Sequence, residues 1–77
     1  MNQWNEHNNA LHKTFIFSSF LEAMEWMQKA SFEIEKLNHH PEWTNVYNKV
    51  QVQLTTHDAG NVVTDKDWEL ARILDAI

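Results

Sequence analysis

Between Ser19 and Pro41 this chain reads as one amphipathic helix, and a chain of 77 residues must build the rest of its fold around it. Ser19 and Glu22 have the spacing of a capping box, in which the serine hydroxyl takes an orphan backbone N–H and the glutamate reaches back to the cap. No glycine or proline follows before Pro41. Phe20, Met24, Met27, Ser31 and Ile34 recur at three- and four-residue spacing, and Ala23, Ala30 and Leu37 widen the stripe. Glu22, Glu25, Lys29, Glu33 and Lys36 take the opposite face, with Glu25 and Lys29 as a supporting i,i+4 pair. At about 100° per residue, Trp26 and Phe32 fall outside the stripe. Aromatics of that size need covering, either by a second subunit or by a sheet edge or loop of the same chain. Pro41 stops the helix, because the residue before proline is pushed out of the α region. His39 and His40 are thereby left at its C-terminal end.

The flanking segments alternate instead. A short polar stretch, Gln3 to His7, surrounds Trp4, and Asn8-Asn9 is a turn, since asparagine tolerates left-handed angles. From Leu11 to Phe17, Leu11, Lys13, Phe15 and Phe17 point one way and His12, Thr14 and Ile16 the other, which is a strand. Strands continue from Thr44 to His57, with a turn at Asn48-Lys49. In the longer one Val50, Val52, Leu54 and Thr56 share one face, and Gln51, Gln53, Thr55 and His57 the other. Asp58 to Asn61 is a loop. Thr64 and Asp67 repeat the capping spacing before an apolar-sided helix carrying Trp68, Leu70, Ala71, Ile73 and Leu74. The order is ββ-α-ββ-α over residues 1–77, a single α+β domain: a four-stranded antiparallel sheet with two helices packed on one face.

Composition removes several functions. Absence of cysteine excludes disulfides and thiolate metal sites. A formal net charge of −5 with scattered Lys and Arg leaves no basic face for phosphates, so no nucleic acid is expected to bind directly. No apolar run approaches the roughly 20 residues of a membrane span, and no signal pattern opens the chain, so the expectation is a cytoplasmic protein. A domain this small usually needs help from a metal or from oligomerisation. With four Trp and four Phe for cores and interfaces, a homodimer or homotetramer is expected.

Five histidines remain. His7 and His12 belong to the first hairpin and read as ordinary surface or cross-strand residues. His39-His40, locked by Pro41, have little packing value, and His57 follows at the end of the last strand. Imidazole is the side chain whose ordinary pKa lies near neutrality, so three such rings together can donate and accept protons. Zinc is the competing use, but adjacent side chains diverge, and Glu35 and Asp58 serve equally well as histidine orienters. No metal or other cofactor is therefore expected. Nucleophilic catalysis is weaker still, for want of a thiol or a serine in a glycine-flanked elbow.

Glu35, His39-His40-Pro41, Tyr47, His57 and Asp67, at their spacings, resemble the signature of the pterin-4a-carbinolamine dehydratases. Glu35-Lys36-Leu37-Asn38-His39-His40-Pro41-Glu42-Trp43, Asn45 to Val50, Thr56-His57, Trp4-Asn5-Glu6 and the Phe15–Phe20 stretch extend the similarity over nearly the whole chain. Two departures stand out: the N-terminal helix of longer members is absent, and Asn38 replaces an aspartate of some animal members. The resemblance implies dehydration of a 4a-hydroxytetrahydropterin to the quinonoid dihydropterin, a step that recycles a tetrahydrobiopterin-type cofactor. On that reading His39 and His57 transfer protons and His40 binds and orients the pterin. Glu35, one helical turn before His39, steadies its ring. Asn38, Thr55, Thr56 and Asp58 bind the polar edge, and Trp4 walls the ring. Asp67 fits a capping role and a site role equally. The competing class is a non-enzymatic interaction module, since animal members also act as a dimerisation cofactor of a homeodomain transcription factor. A pterin-binding protein without turnover would use the same residues.

Overall fold

The computed structural model describes residues 3–77. Strand β1 (Asn5–His7) turns through Asn8 and Asn9 into β2 (Ala10–Ile16), helix α1 spans Phe20–Leu37, and β3 (Glu42–Val46) and β4 (Lys49–Leu54) form the second hairpin. A 3₁₀ turn, His57–Ala59, leads to α2 (Asp65–Asp75). The sheet is antiparallel throughout, in the order β1-β2-β4-β3. Leu11, Val50, Val52 and Leu54 project from one face into a core with Ala23, Trp26, Ala30 and Ile34 of α1 and Leu70, Ala71 and Leu74 of α2. Both helices thus cover the same side, as the alternation in the strands requires. The other side, carrying Gln51 and Gln53, has no helix over it among the described residues.

The turns follow backbone preference in one hairpin and depart from it in the other. Asn8 (φ 51°) and Asn9 (φ 61°) are both left-handed, the pairing a two-residue hairpin favours. In the second hairpin the expected Asn48-Lys49 turn falls one residue early. Val46 pairs with Lys49, so Tyr47 and Asn48 make the turn, and Tyr47 takes the positive φ of 53°. Asn45 holds this arrangement by donating to the carbonyls of Tyr47 and Lys49, while Asn48 donates to Phe17. Asparagine here secures the turn from outside its left-handed position.

Of the two covers expected for Trp26, a second subunit or its own chain, the structure supplies the second. Trp26 is buried, with its ring 4.5 Å from Phe15, 5.5 Å from Phe17 and 6.2 Å from Trp43. A helical wheel gives the angle of a Cα but not the reach of an indole, and the sheet is wide enough for β2 and β3 to wrap the helix flank. Phe32, by contrast, stays 63% exposed, and Phe20, expected in the stripe, is 48% exposed. Lys13 does point to the helix side. It buries its stem there and brings its ammonium to Asp75 at 2.6 Å and over the Phe15 ring at 4.8 Å.

Ser19 caps α1, its hydroxyl accepting the Glu22 N–H at 3.1 Å. The return arm of the box is displaced: the Glu22 carboxylate reaches the N–H of Ser18 rather than that of Ser19. Hydrogen bonds from Ser18 hold the Glu22 carboxyl below its ordinary value. The stabilisation from this contact is therefore complete above the ordinary glutamate pKa and is lost as pH falls through the lowered one. Ser19→Ala is expected to cost about 1 kcal/mol, read as a lower denaturant midpoint at unchanged m-value.

Candidate active site

Helix α1 ends where the chain needs its histidines. Asn38 adopts the left-handed conformation (φ 55°, ψ 43°) and its N–H closes on the carbonyls of Ile34 and Glu35. This turns the backbone away from the helix axis before Pro41, and the two following side chains part company. His39 turns inward, to 11% exposure, and its Nε2 lies 2.6 Å from Asp67 Oδ1. His40 stays outside, its Nε2 2.7 Å from Glu35 Oε1.

The expected pairing of Glu35 with His39 is thereby corrected. The i,i+4 argument assumed that the helix continues through His39, but it stops at Leu37, and His40 is the ring that reaches back. With side chains 57% and 78% exposed, the His40–Glu35 pair lies in water and adds little stability. The partner of His39 is Asp67, fully buried at the first turn of α2.

Asp67 has three engagements besides its place in the helix. Oδ1 faces His39. Oδ2 accepts the Thr56 hydroxyl at 2.7 Å and the Thr64 N–H at 2.9 Å, while the Thr64 and Thr56 hydroxyls meet at 2.6 Å. The carboxylate therefore caps α2 and also holds His39 and the residue just before His57. A carboxylate only accepts, so His39 Nε2 is the donor, and in the neutral ring Nδ1 is the atom left with the lone pair.

His57 opens the 3₁₀ turn, and β4 stops at Leu54, short of the strand end expected at His57. The peptide beyond is redirected by Thr56, which pairs with Val62 and is buried. His57 nevertheless comes to the same side as His40. The two imidazoles line one cleft of about 250 Å³ with Asn8, Asn9, Ala10, Glu42, Gln53, Thr55 and Asn61. Thr55 donates to the Asn9 carbonyl at 3.0 Å, tying this wall to the first hairpin. Asn9 and Asn61, both left-handed, are cleft residues that the histidine spacing gave no reason to pick.

Several expected ligand contacts fall elsewhere. The Thr56 hydroxyl is committed to Asp67 and Thr64 inside the protein. Asp58 is exposed on the 3₁₀ turn and does not line the cleft. Trp4 packs edge-on against Phe15 at 5.8 Å and donates to Asp75. Asp75 lies eight residues along α2 from Asp67, about 12 Å at 1.5 Å per residue. Trp4 therefore closes the core beneath the far end of α2 and does not wall the cleft. Asn38 works through its backbone as the helix C-cap. Among the described residues no group of three or more His, Asp or Glu side chains converges as a metal site. No helix among them is long and apolar enough to cross a membrane.

Comparison with known proteins gives the family. The family described as pterin 4 alpha carbinolamine dehydratase matches residues 1–77. A provisionally named pterin-4-alpha-carbinolamine dehydratase of Opitutus terrae is 58% identical over 74 residues, 96% of this chain and 76% of that protein. One from Chelativorans is 47% identical over 99% of this chain and 79% of its own length. A crystal structure of a transcriptional coactivator/pterin dehydratase from Brucella melitensis superposes with a TM-score of 0.89 at 41% identity, covering 95% of this chain and 79% of that one. By profile, by identity and by fold, the chain belongs to the pterin-4a-carbinolamine dehydratase family.

Proposed function

We propose that the protein dehydrates a 4a-hydroxytetrahydropterin to the quinonoid dihydropterin by histidine acid–base catalysis, and so recycles a tetrahydropterin cofactor. The C4a–O bond breaks, the oxygen leaves as water with a proton from an acid, and the N5 proton passes to a base as the N5–C4a double bond forms. The reaction changes no oxidation state overall, so proton transfer and positioning are what a catalyst must supply. His57, which lines the cleft with His40, and His39, held by Asp67 and not among the cleft's lining residues, take the proton transfers. His40, steadied by Glu35, orients the ring, and Thr55 contributes a polar edge. Each acid or base in such a site is worth roughly 10²–10⁴-fold.

The observation that carries this reading is the Asp67 carboxylate, which bonds His39 and also Thr56, the residue before His57. A buried acceptor behind an imidazole fixes its tautomer and orientation, which is what an acid–base histidine needs. The interaction-module alternative cannot draw on Trp26, which lies in the core, although Phe20, Leu21 and Phe32 of α1 are exposed. The direct test is stopped-flow dehydration of carbinolamine generated in the cell. Rates no faster than the uncatalysed background would end the enzymatic reading.

Asp67→Asn probes the network itself. The amide can keep one oxygen toward Thr56 and Thr64, but it then turns an NH₂ toward His39 and forces the proton onto Nδ1. Turnover is expected to fall roughly a hundredfold, with stability lowered by about 1–2 kcal/mol. An unchanged rate constant in a folded variant would show that the tautomer of His39 does not matter.

A further inference from the structure

The hydroxyls of Thr56 and Thr64 meet at 2.6 Å behind the histidines, and only one proton arrangement fits them. The Thr56 hydroxyl lies 2.7 Å from Asp67 Oδ2, and since a carboxylate only accepts, the single Thr56 proton points there. Where the two hydroxyls touch, Thr56 must therefore accept and Thr64 donate. The chain runs one way, from Thr64 through Thr56 to Asp67, whose other oxygen takes the Nε2 proton of His39 at 2.6 Å. Thr64 reaches the same carboxylate a second time, through its backbone N–H at 2.9 Å. Thr56 and Asp67 are buried, and among the described residues nothing else donates to the Thr56 hydroxyl oxygen.

Thr56 also forms the neck of the loop that carries His57. Its N–H donates to the Val62 carbonyl at 2.9 Å, and its own carbonyl accepts from Ala59 at 3.3 Å and from Asn61 at 3.0 Å. Whatever fixes Thr56 thus fixes both ends of the turn that holds His57. We propose that Thr64 is a positioning residue for the reaction, its hydroxyl holding Asp67 against His39 and the His57 loop against α2. The inference rests on the dehydratase reading above. Hydrogen bonds in series polarise one another, and they weigh more where water is excluded. Without the Thr64 proton the chain loses its first link, and the Thr56 hydroxyl is no longer held in register with Asp67. A threonine that only capped α2 would behave differently: its loss would lower stability and leave turnover of the folded protein alone.

The test compares the full chain with Thr64→Val, which keeps the shape and the backbone N–H but removes the hydroxyl, and with Thr64→Ser, which restores it. Ser19→Ala, at the other end of α1 from the histidines, controls for a loss of stability alone. Two quantities are read below the melting range of every variant. One is kcat and KM for dehydration by stopped flow. The other is the downfield proton resonance that the short bond from His39 Nε2 to Asp67 should give. With one neutral hydrogen bond removed, kcat of Thr64→Val should fall about tenfold, with KM changed less than about twofold. The resonance should move upfield or broaden away. Thr64→Ser and Ser19→Ala should keep both readings at wild-type values. If Thr64→Val does not fold, Thr64→Gly, which a helix cap tolerates, is read in its place. A wild-type kcat or a wild-type resonance in the hydroxyl-free variant overturns the inference. So does an equal loss of kcat in Thr64→Ser or Ser19→Ala, or absence of the resonance from wild type. If wild type does not dehydrate the carbinolamine, the dehydratase reading fails, and the resonance alone decides whether Thr64 holds His39.

Discussion

His57→Ala is expected to slow dehydration by roughly 10²–10⁴-fold and to leave the fold untouched. Its ring is exposed and makes no hydrogen bond to another side chain among the described residues, so removing it opens no cavity and strands no buried partner. The circular-dichroism spectrum and melting temperature should match wild type. His39→Ala should reach a similar loss by a less clean route. There the buried Asp67 Oδ1 loses its partner, while Oδ2 keeps Thr56 and Thr64, and an unsatisfied buried acceptor costs about 1–3 kcal/mol. The pair of variants therefore separates chemistry from architecture: equal rate losses with unequal melting temperatures. Full activity in the doubly substituted protein would remove both histidines from the mechanism.

The second large effect is structural. Trp26→Ala should destabilise the domain by about 3–5 kcal/mol. The indole is the hub of the aromatic group that joins Phe15 of β2, and Phe17 just beyond that strand, to Trp43 of β3. A domain of this size commonly has only about 5–10 kcal/mol in total, so the variant should be partly unfolded at ambient temperature. Denaturant titration followed by far-ultraviolet circular dichroism reads this directly. A loss below about 1 kcal/mol would mean that the flank of α1 is covered by something other than this cluster. Trp26→Phe keeps a ring in place and should recover much of the loss.

Periodicity was a good guide wherever one face of an element met the core. The β2 and β4 alternation and the existence of both helices follow from it, because burial imposes a period of 3.6 on helices and 2 on strands. The buried line of α1, however, runs through Ala23, Trp26, Ala30 and Ile34 rather than through Phe20, Met24 and Met27. Periodicity failed where reach or backbone direction decided the outcome. Trp26 was misplaced because a long side chain can leave the wheel position of its Cα. Tyr47 was missed because an aromatic residue at positive φ runs against propensity, and the register of β3 on β4 overrides it. In the site, the three histidines stood out as a group, but their partners did not. Helical spacing pointed Glu35 at His39, and only the left-handed Asn38 exchanges the rings. Asp67 had two candidate roles in the sequence; it caps α2 and also contacts His39. Trp4, Thr56 and Asp58 sit near site residues in the chain or in the family signature without lining the cleft, since proximity of that kind does not say which way a side chain faces.

The carboxylate at position 67 makes the start of one helix and the posture of one imidazole a single decision. Were α2 to begin a residue earlier or later, that oxygen pair would rotate by about 100° and let go of His39 and Thr56 together. The loop from Gly60 to Val63 thus has little freedom in length. What looks like an ordinary connector fixes the distance between the folding of the C-terminal third and the readiness of the site.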